Sequence, residues 1–151
     1  MTYLVDTGVL LRAFDRDAAE HKTILQAIRF LVDRGEELVV AVQNLAEFWN
    51  VSTRDKDAIG GLGLPIETVA RRVRVIERLS TVLSESTASY VEWKRILTAH
   101  RVLGVKVHDA RLVSVMLVAN VPTVLTLNVR DFQRYSEITA VTPDDVMARA
   151  T

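Results

Sequence analysis

Five side chains of this 151-residue chain fall where chemistry could be done: Asp6, Glu47, Asp109, Asn128 and Asp131. Asp6 ends the apolar run Tyr3, Leu4, Val5 and is followed by Thr7 and Gly8. A short apolar run bounded by polar residues and glycine reads as a strand buried on both faces of a parallel sheet. Ligands bind such sheets beyond the carboxyl ends of the strands, where helix N-termini open into a crevice. Glu47 is read in the first turn of the helix after a second strand, Asp109 opens a strongly apolar helix, and Asn128 and Asp131 follow a fourth strand. Each also has a plain structural role available. Asp6 or Thr7 can cap a helix, Asn44-x-x-Glu47 matches a capping box, Asp109 complements a helix dipole, and Asn128 to Asp131 is turn chemistry. What separates the two readings is convergence, because strand ends and following helix starts share one edge of a parallel sheet. Two unit charges about 4 Å apart repel by roughly 4 kcal/mol at an effective dielectric of about 20, so apposed carboxylates shift their pKa or take up a cation. An all-oxygen cluster suits Mg²⁺ or Mn²⁺ and not zinc. Such an ion activates water and offsets charge on a phosphodiester.

The elements that must position these groups alternate. Helical spacing covers Val9–Phe14 and His21–Val32, the latter closed by Gly35. Leu38–Val42 is the second strand, and a helix beginning near Asn44 runs to about Ser52. Ile59 to Pro65 holds three glycines and reads as a loop, a plain connector or a flap over a ligand. Ile66–Leu79 is a helix whose Arg71, Arg74 and Arg78 share a face, which is a solvated stripe or an RNA track. Thr81–Leu83 is a weak third strand. Ser86–Gly104 reads as a helix burying Trp93, Ile96, Leu97 and Leu103, with His100 as a core histidine. His108–Asn120 is apolar nearly all round after its first turn, as a buried central helix is. Thr123–Leu127 is the fourth strand and Ile138–Val141 a last one before Pro143 opens a terminal helix. Strands alternating with helices predict an α/β fold: a central parallel sheet of four to five strands with helices on both faces, in a single domain spanning 1–151.

Composition narrows the function. With 49% apolar residues and no cysteine, the chain can bury a real core without disulfides, and it has neither a Cys-based zinc site nor a thiol nucleophile. Nineteen basic and nineteen acidic residues balance to zero, so no global field announces a nucleic-acid binder and any such role rests on local patches. No apolar run approaches the roughly 20 residues of a membrane span and no signal segment precedes Tyr3, so the chain is read as soluble and cytoplasmic, without a membrane partner.

Four stretches, in order, resemble the acidic motifs of the PIN domain family: Leu4-Val5-Asp6-Thr7-Gly8-Val9-Leu10, Leu45-Ala46-Glu47-Phe48-Trp49-Asn50-Val51, His108-Asp109-Ala110-Arg111-Leu112 and Leu125-Thr126-Leu127-Asn128-Val129-Arg130-Asp131-Phe132. The chain is similar to the VapC-type toxin ribonucleases of that family, a likeness extended by Trp49 to Arg54 and the glycine loop that follows. The resemblance implies a Mg²⁺- or Mn²⁺-dependent endoribonuclease in which Asp6, Glu47 and Asp109 hold the metal and orient the attacking water. The fourth family position is often Asp. Here it is Asn128, with Asp131 three residues on, and one or the other fills the place; without a fourth carboxylate a second metal would bind weakly and the mechanism would use one metal, with it two. Thr126 is expected to orient water or a ligand. The family further implies a homodimer and a cognate antitoxin that blocks the acidic site.

Two other classes compete. A covalent phosphoacceptor of the haloacid-dehalogenase kind needs a second Asp two residues after Asp6, where Gly8 stands, and a receiver domain needs paired N-terminal acids and a late Lys that are missing. The stronger alternative is a catalytically weak or inactive domain of the same fold that binds RNA or protein. Metal dependence discriminates between it and the nuclease.

Overall fold

The computed structural model describes residues 1–151. Five strands, β1 (Thr2–Val5), β2 (Glu37–Ala41), β3 (Thr81–Leu83), β4 (Thr123–Leu125) and β5 (Thr139–Val141), form one sheet in the order β3-β2-β1-β4-β5. Every pairing is parallel. The helices are α1 (Thr7–Ala13), α2 (His21–Asp33), α3 (Val42–Thr53), α4 (Ile66–Leu79), α5 (Thr87–Ala99), α6 (Val107–Val118) and α7 (Pro143–Ala148). The fold is α/β with helices on both faces, as expected.

The period of two along β1 builds both cores at once. Tyr3 and Val5 join Leu38, Val40, Leu125 and Val141 against Val9 of α1, Ile24 of α2, Phe48 of α3, Val69 of α4 and Val146 of α7. Leu4 points the other way, with Val39, Ala41 and Val124, onto Ile96 of α5 and Val113 and Met116 of α6. Each such side chain contributes about 1.5–3 kcal/mol on burial. No helix is long and apolar enough to cross a membrane.

The strand order decides where a ligand can go. The chain moves outward from β1 to β2 to β3, then returns to lay β4 on the free side of β1. Connections after β1 and β4 therefore diverge, leaving a crevice beyond their carboxyl ends. Asp6 follows β1 directly, its N–H donating to Leu125 O at 3.0 Å, and Thr126 follows β4, its N–H donating to Val141 O at 2.9 Å.

Several boundaries differ from the sequence reading, β4 among them, which ends at Leu125 and not Leu127. Helix α3 starts at Val42, with Ala41 as its N-cap, so Val42 leaves the strand. Helix α5 stops at Ala99 because Arg101 and Gly104 take positive φ (50° and 56°), which leaves Leu103 80% exposed and not buried. His100 caps that end, half-buried and edge-on to the buried Tyr135 ring at 5.0 Å. The glycine loop is pinned to the end of α3: Leu62 N–H donates to Val51 O at 3.1 Å, Gly63 to Arg54 O at 2.8 Å and Leu64 to Ser52 O at 2.9 Å. A Cβ on Gly61 would stand 2.0 Å from Asp55 O, so glycine is obligatory there. It is a packed connector.

Candidate active site

Asp6 is the N-cap of α1. Its Oδ1 accepts from Thr7 N–H at 2.9 Å, and its Oδ2 accepts from the Thr126 hydroxyl at 2.7 Å. Thr126 is fully buried, and its Oγ1 also accepts from Asn128 N–H at 3.0 Å, so the loop beyond β4 fixes the carboxylate that β1 delivers. Burial raises the Asp6 pKa, the two hydrogen bonds from Thr126 and Thr7 oppose that, and the charges of Glu47 and Asp131 add to the rise.

Glu47 lies one turn deeper in α3 than the sequence reading put it, which removes its capping role. Asn44 occupies the cap-facing position, its Oδ1 accepting from Ala41 N–H at 2.9 Å. Both Glu47 oxygens are held instead for the crevice: Oε2 accepts from the Thr7 hydroxyl at 2.8 Å and Oε1 from Gln43 Nε2 at 3.0 Å. Beneath them the buried Asn44 donates to Thr7 Oγ1 at 3.2 Å, which leaves the single Thr7 proton for Glu47. Asn44→Ala removes this support and strands the Ala41 N–H in the core. Urea unfolding is expected to show a loss of about 1–3 kcal/mol; an unchanged midpoint would mean that water replaces the amide.

Asp109 stands in the first turn of α6, half-buried, with Lys106 Nζ at 3.8 Å. Its pKa is pushed up to about 6, first by burial and then by Asp131, with Lys106 opposing and with Asp6 and Glu47 adding smaller increments. Asp131 sits in a short turn after β4, where it accepts from Asn128 Nδ2 at 2.6 Å and from Lys106 at 2.5 Å. The donor end of the Asn128 amide is thus committed to Asp131.

The four carboxylates accordingly share one electrostatic neighbourhood, contributed by the ends of β1 and β4 and the starts of α3 and α6. Lys106 lies across its mouth as a built-in cation between Asp109 and Asp131. As the side chains stand, no three of them form a closed cage around a point. The donor set nevertheless fits a hard divalent ion: it is all oxygen, it already draws in one cation, and Gln43 Oε1 is buried beside Glu47 with no partner. Thr7, Gln43, Asn44 and Lys106 escaped the sequence reading as site residues. Only the placement of Gln43 and Asn44 beside a strand end hinted at two of them.

The family model described as PIN domain matches residues 3–138. No curated protein sequence matches the chain significantly. Among solved structures, VapBC2 from Rickettsia felis bound to a promoter DNA fragment superposes with TM-score 0.73 at 14% identity, covering 94% of this chain and 98% of that one. A toxin-antitoxin complex from Klebsiella pneumoniae gives 0.64 at 16%, covering 93% and 97%. VapC20 from Mycobacterium tuberculosis, a sarcin-ricin loop cleaving toxin, gives 0.58 at 15%, covering 81% and 86%. At these identities the structural likeness is one of fold.

Proposed function

Since the chain belongs to the PIN domain family, we propose that it is a metal-dependent endoribonuclease that hydrolyses RNA phosphodiesters and serves as the toxin of a toxin–antitoxin pair. The observation that carries the reading is the convergence at the crevice between β1 and β4 of Asp6 and Glu47, both held by Thr7, and of Asp109 and Asp131, both facing Lys106.

Asp6, Glu47 and Asp109 would hold Mg²⁺ or Mn²⁺, which supplies an acidified water and a counter-charge for the phosphodiester. Thr126 and the Thr7 N–H fix the rotamer of Asp6, while Thr7 and Gln43 fix Glu47, so two carboxylates reach the crevice already oriented. Asp131 fills the fourth position as charge, and Asn128 holds it there. Lys106, which stands between Asp109 and Asp131, would have to give way to a divalent ion held there.

The antitoxin reading is supported by the toxin–antitoxin complexes among the similar structures. It gains from an open apolar groove of about 130 Å³ between α2 and α4, where Leu25, Val75 and Leu79 are exposed. A partner's apolar helix face would cover these side chains.

Incubating purified, antitoxin-free protein with a mixed structured RNA pool tests the nuclease. Cutting is expected with Mg²⁺ and with Mn²⁺ and none with EDTA. A folded protein that binds the metal and cuts nothing in the pool would shift the assignment to a binding module of the same fold.

A further inference from the structure

Beside the acidic crevice lies a second cavity, of about 310 Å³, between α5 and the first turns of α6. His108 and Arg111 line it on one side and line the groove along Glu47 on the other, so the two adjoin across these side chains. Its wall is aromatic. Tyr90 and Trp93 stand three residues apart on α5, their ring centroids 6.3 Å apart and tilted by 41°. The Trp93 indole is fixed by its N–H donating to Val107 O at 2.9 Å, while Tyr90 is 55% exposed, with the Lys94 ammonium 5.5 Å from its ring centre. The serines of the lining are engaged locally: Ser86 Oγ accepts from Ser89 N–H, and Ser89 and Ser114 donate to the carbonyls of Ser86 and Arg111. Arg111 is steadied by the Glu85 carboxylate, its Nη2 donating at 3.0 Å.

What the cavity chiefly offers is π surface together with cationic edges, the serines adding little directed hydrogen bonding. Unpaired nucleobases are held by that chemistry, by stacking on aromatic faces with basic groups tracking the phosphates, and the binding tolerates any base. From this juxtaposition we infer that the α5–α6 cleft is a subsite for an unpaired nucleobase of the RNA strand lying across the acidic crevice, with Tyr90 as its stacking face. The inference rests on the ribonuclease reading and adds to it that the strand enters single-stranded, with weak base discrimination at this subsite.

The test uses the full chain carrying Asp6→Asn, so that RNA is bound and not cut, with short fluorescein-labelled oligo(A), oligo(U) and a duplex RNA in Mg²⁺. Tyr90→Ala is expected to weaken binding of both single strands by roughly 5- to 100-fold, the range for losing one stacked base. Tyr90→Phe should restore it, and duplex binding should not change. Val91→Ala, next along α5 and outside the cleft, serves as the control. Equal single-strand affinity of Tyr90→Ala, while the unsubstituted protein cuts RNA in a metal-dependent way, overturns the subsite alone. Lost affinity for the antitoxin with RNA binding intact also overturns it, by assigning the cleft to protein. If the unsubstituted protein neither binds nor cuts RNA, the ribonuclease reading and the subsite fall together.

Discussion

Asp6→Asn is expected to lower metal-dependent RNA cleavage by roughly 100- to 1,000-fold while leaving the protein folded. The carboxylate sits at the end of the central strand and is held from both sides by Thr7 and Thr126. The amide keeps the cap, since Asn Oδ1 can still accept from the Thr7 N–H and Asn is as good an N-cap as Asp. What it loses is the negative charge that a divalent ion needs, and a metal's help to a transition state is worth several kcal/mol, each 1.36 kcal/mol being tenfold in rate. Rate measurement in Mn²⁺, paired with calorimetric titration of the ion, checks both halves. Cleavage within a few-fold of the unsubstituted protein would remove Asp6 from the proposed site, whatever the fold.

Asp109→Asn is expected to act in opposite directions on activity and stability. Activity should fall by about 100-fold for the same electrostatic reason. Stability of the metal-free protein should rise, because Asp109 is an acid whose pKa goes from 3.8 to about 6 on folding, chiefly through burial and then through Asp131. A group shifted in that direction binds protons more tightly in the folded state. Its contribution is most favourable below about pH 3.8, declines as pH rises to about 6, and stays lost above that. The Asn variant carries no such loss and should show a flatter stability profile across that window. With the side chain 28% exposed, solvent screening reduces the gain at neutral pH to the order of 1 kcal/mol. Thermal unfolding from pH 4 to 7 measures it. Adding Mg²⁺ should then stabilise the unsubstituted protein, by about 2.7 kcal/mol at 100 times Kd, and the variant much less. A variant less stable at neutral pH than the parent would mean that Lys106 already neutralises the cluster.

The sequence by itself determined the layers and the candidate acids. Runs such as Tyr3 to Val5 and Thr123 to Leu127, bounded by turn residues, read as strands covered on both faces, and the nearly all-round apolar α6 reads as central, so the alternation of strand and helix pointed to a parallel sheet between helices. Asp6 was legible because a carboxylate directly after a buried strand has few other places to be. Tertiary structure decided the rest. Which strand returns beside β1 is set by the crossover from β3 to β4, residues 84–122, whose local pattern is indifferent to it, and that choice alone brings Thr126 to Asp6. Helix phase mattered equally: starting α3 at Val42 moves the cap from Asn44 to Ala41 and turns Glu47 toward Thr7, two or three residues of shift that propensity does not resolve. Lys106 between Asp109 and Asp131, and the aromatic wall beside Arg111, join residues distant in sequence, and only the packed chain makes them neighbours.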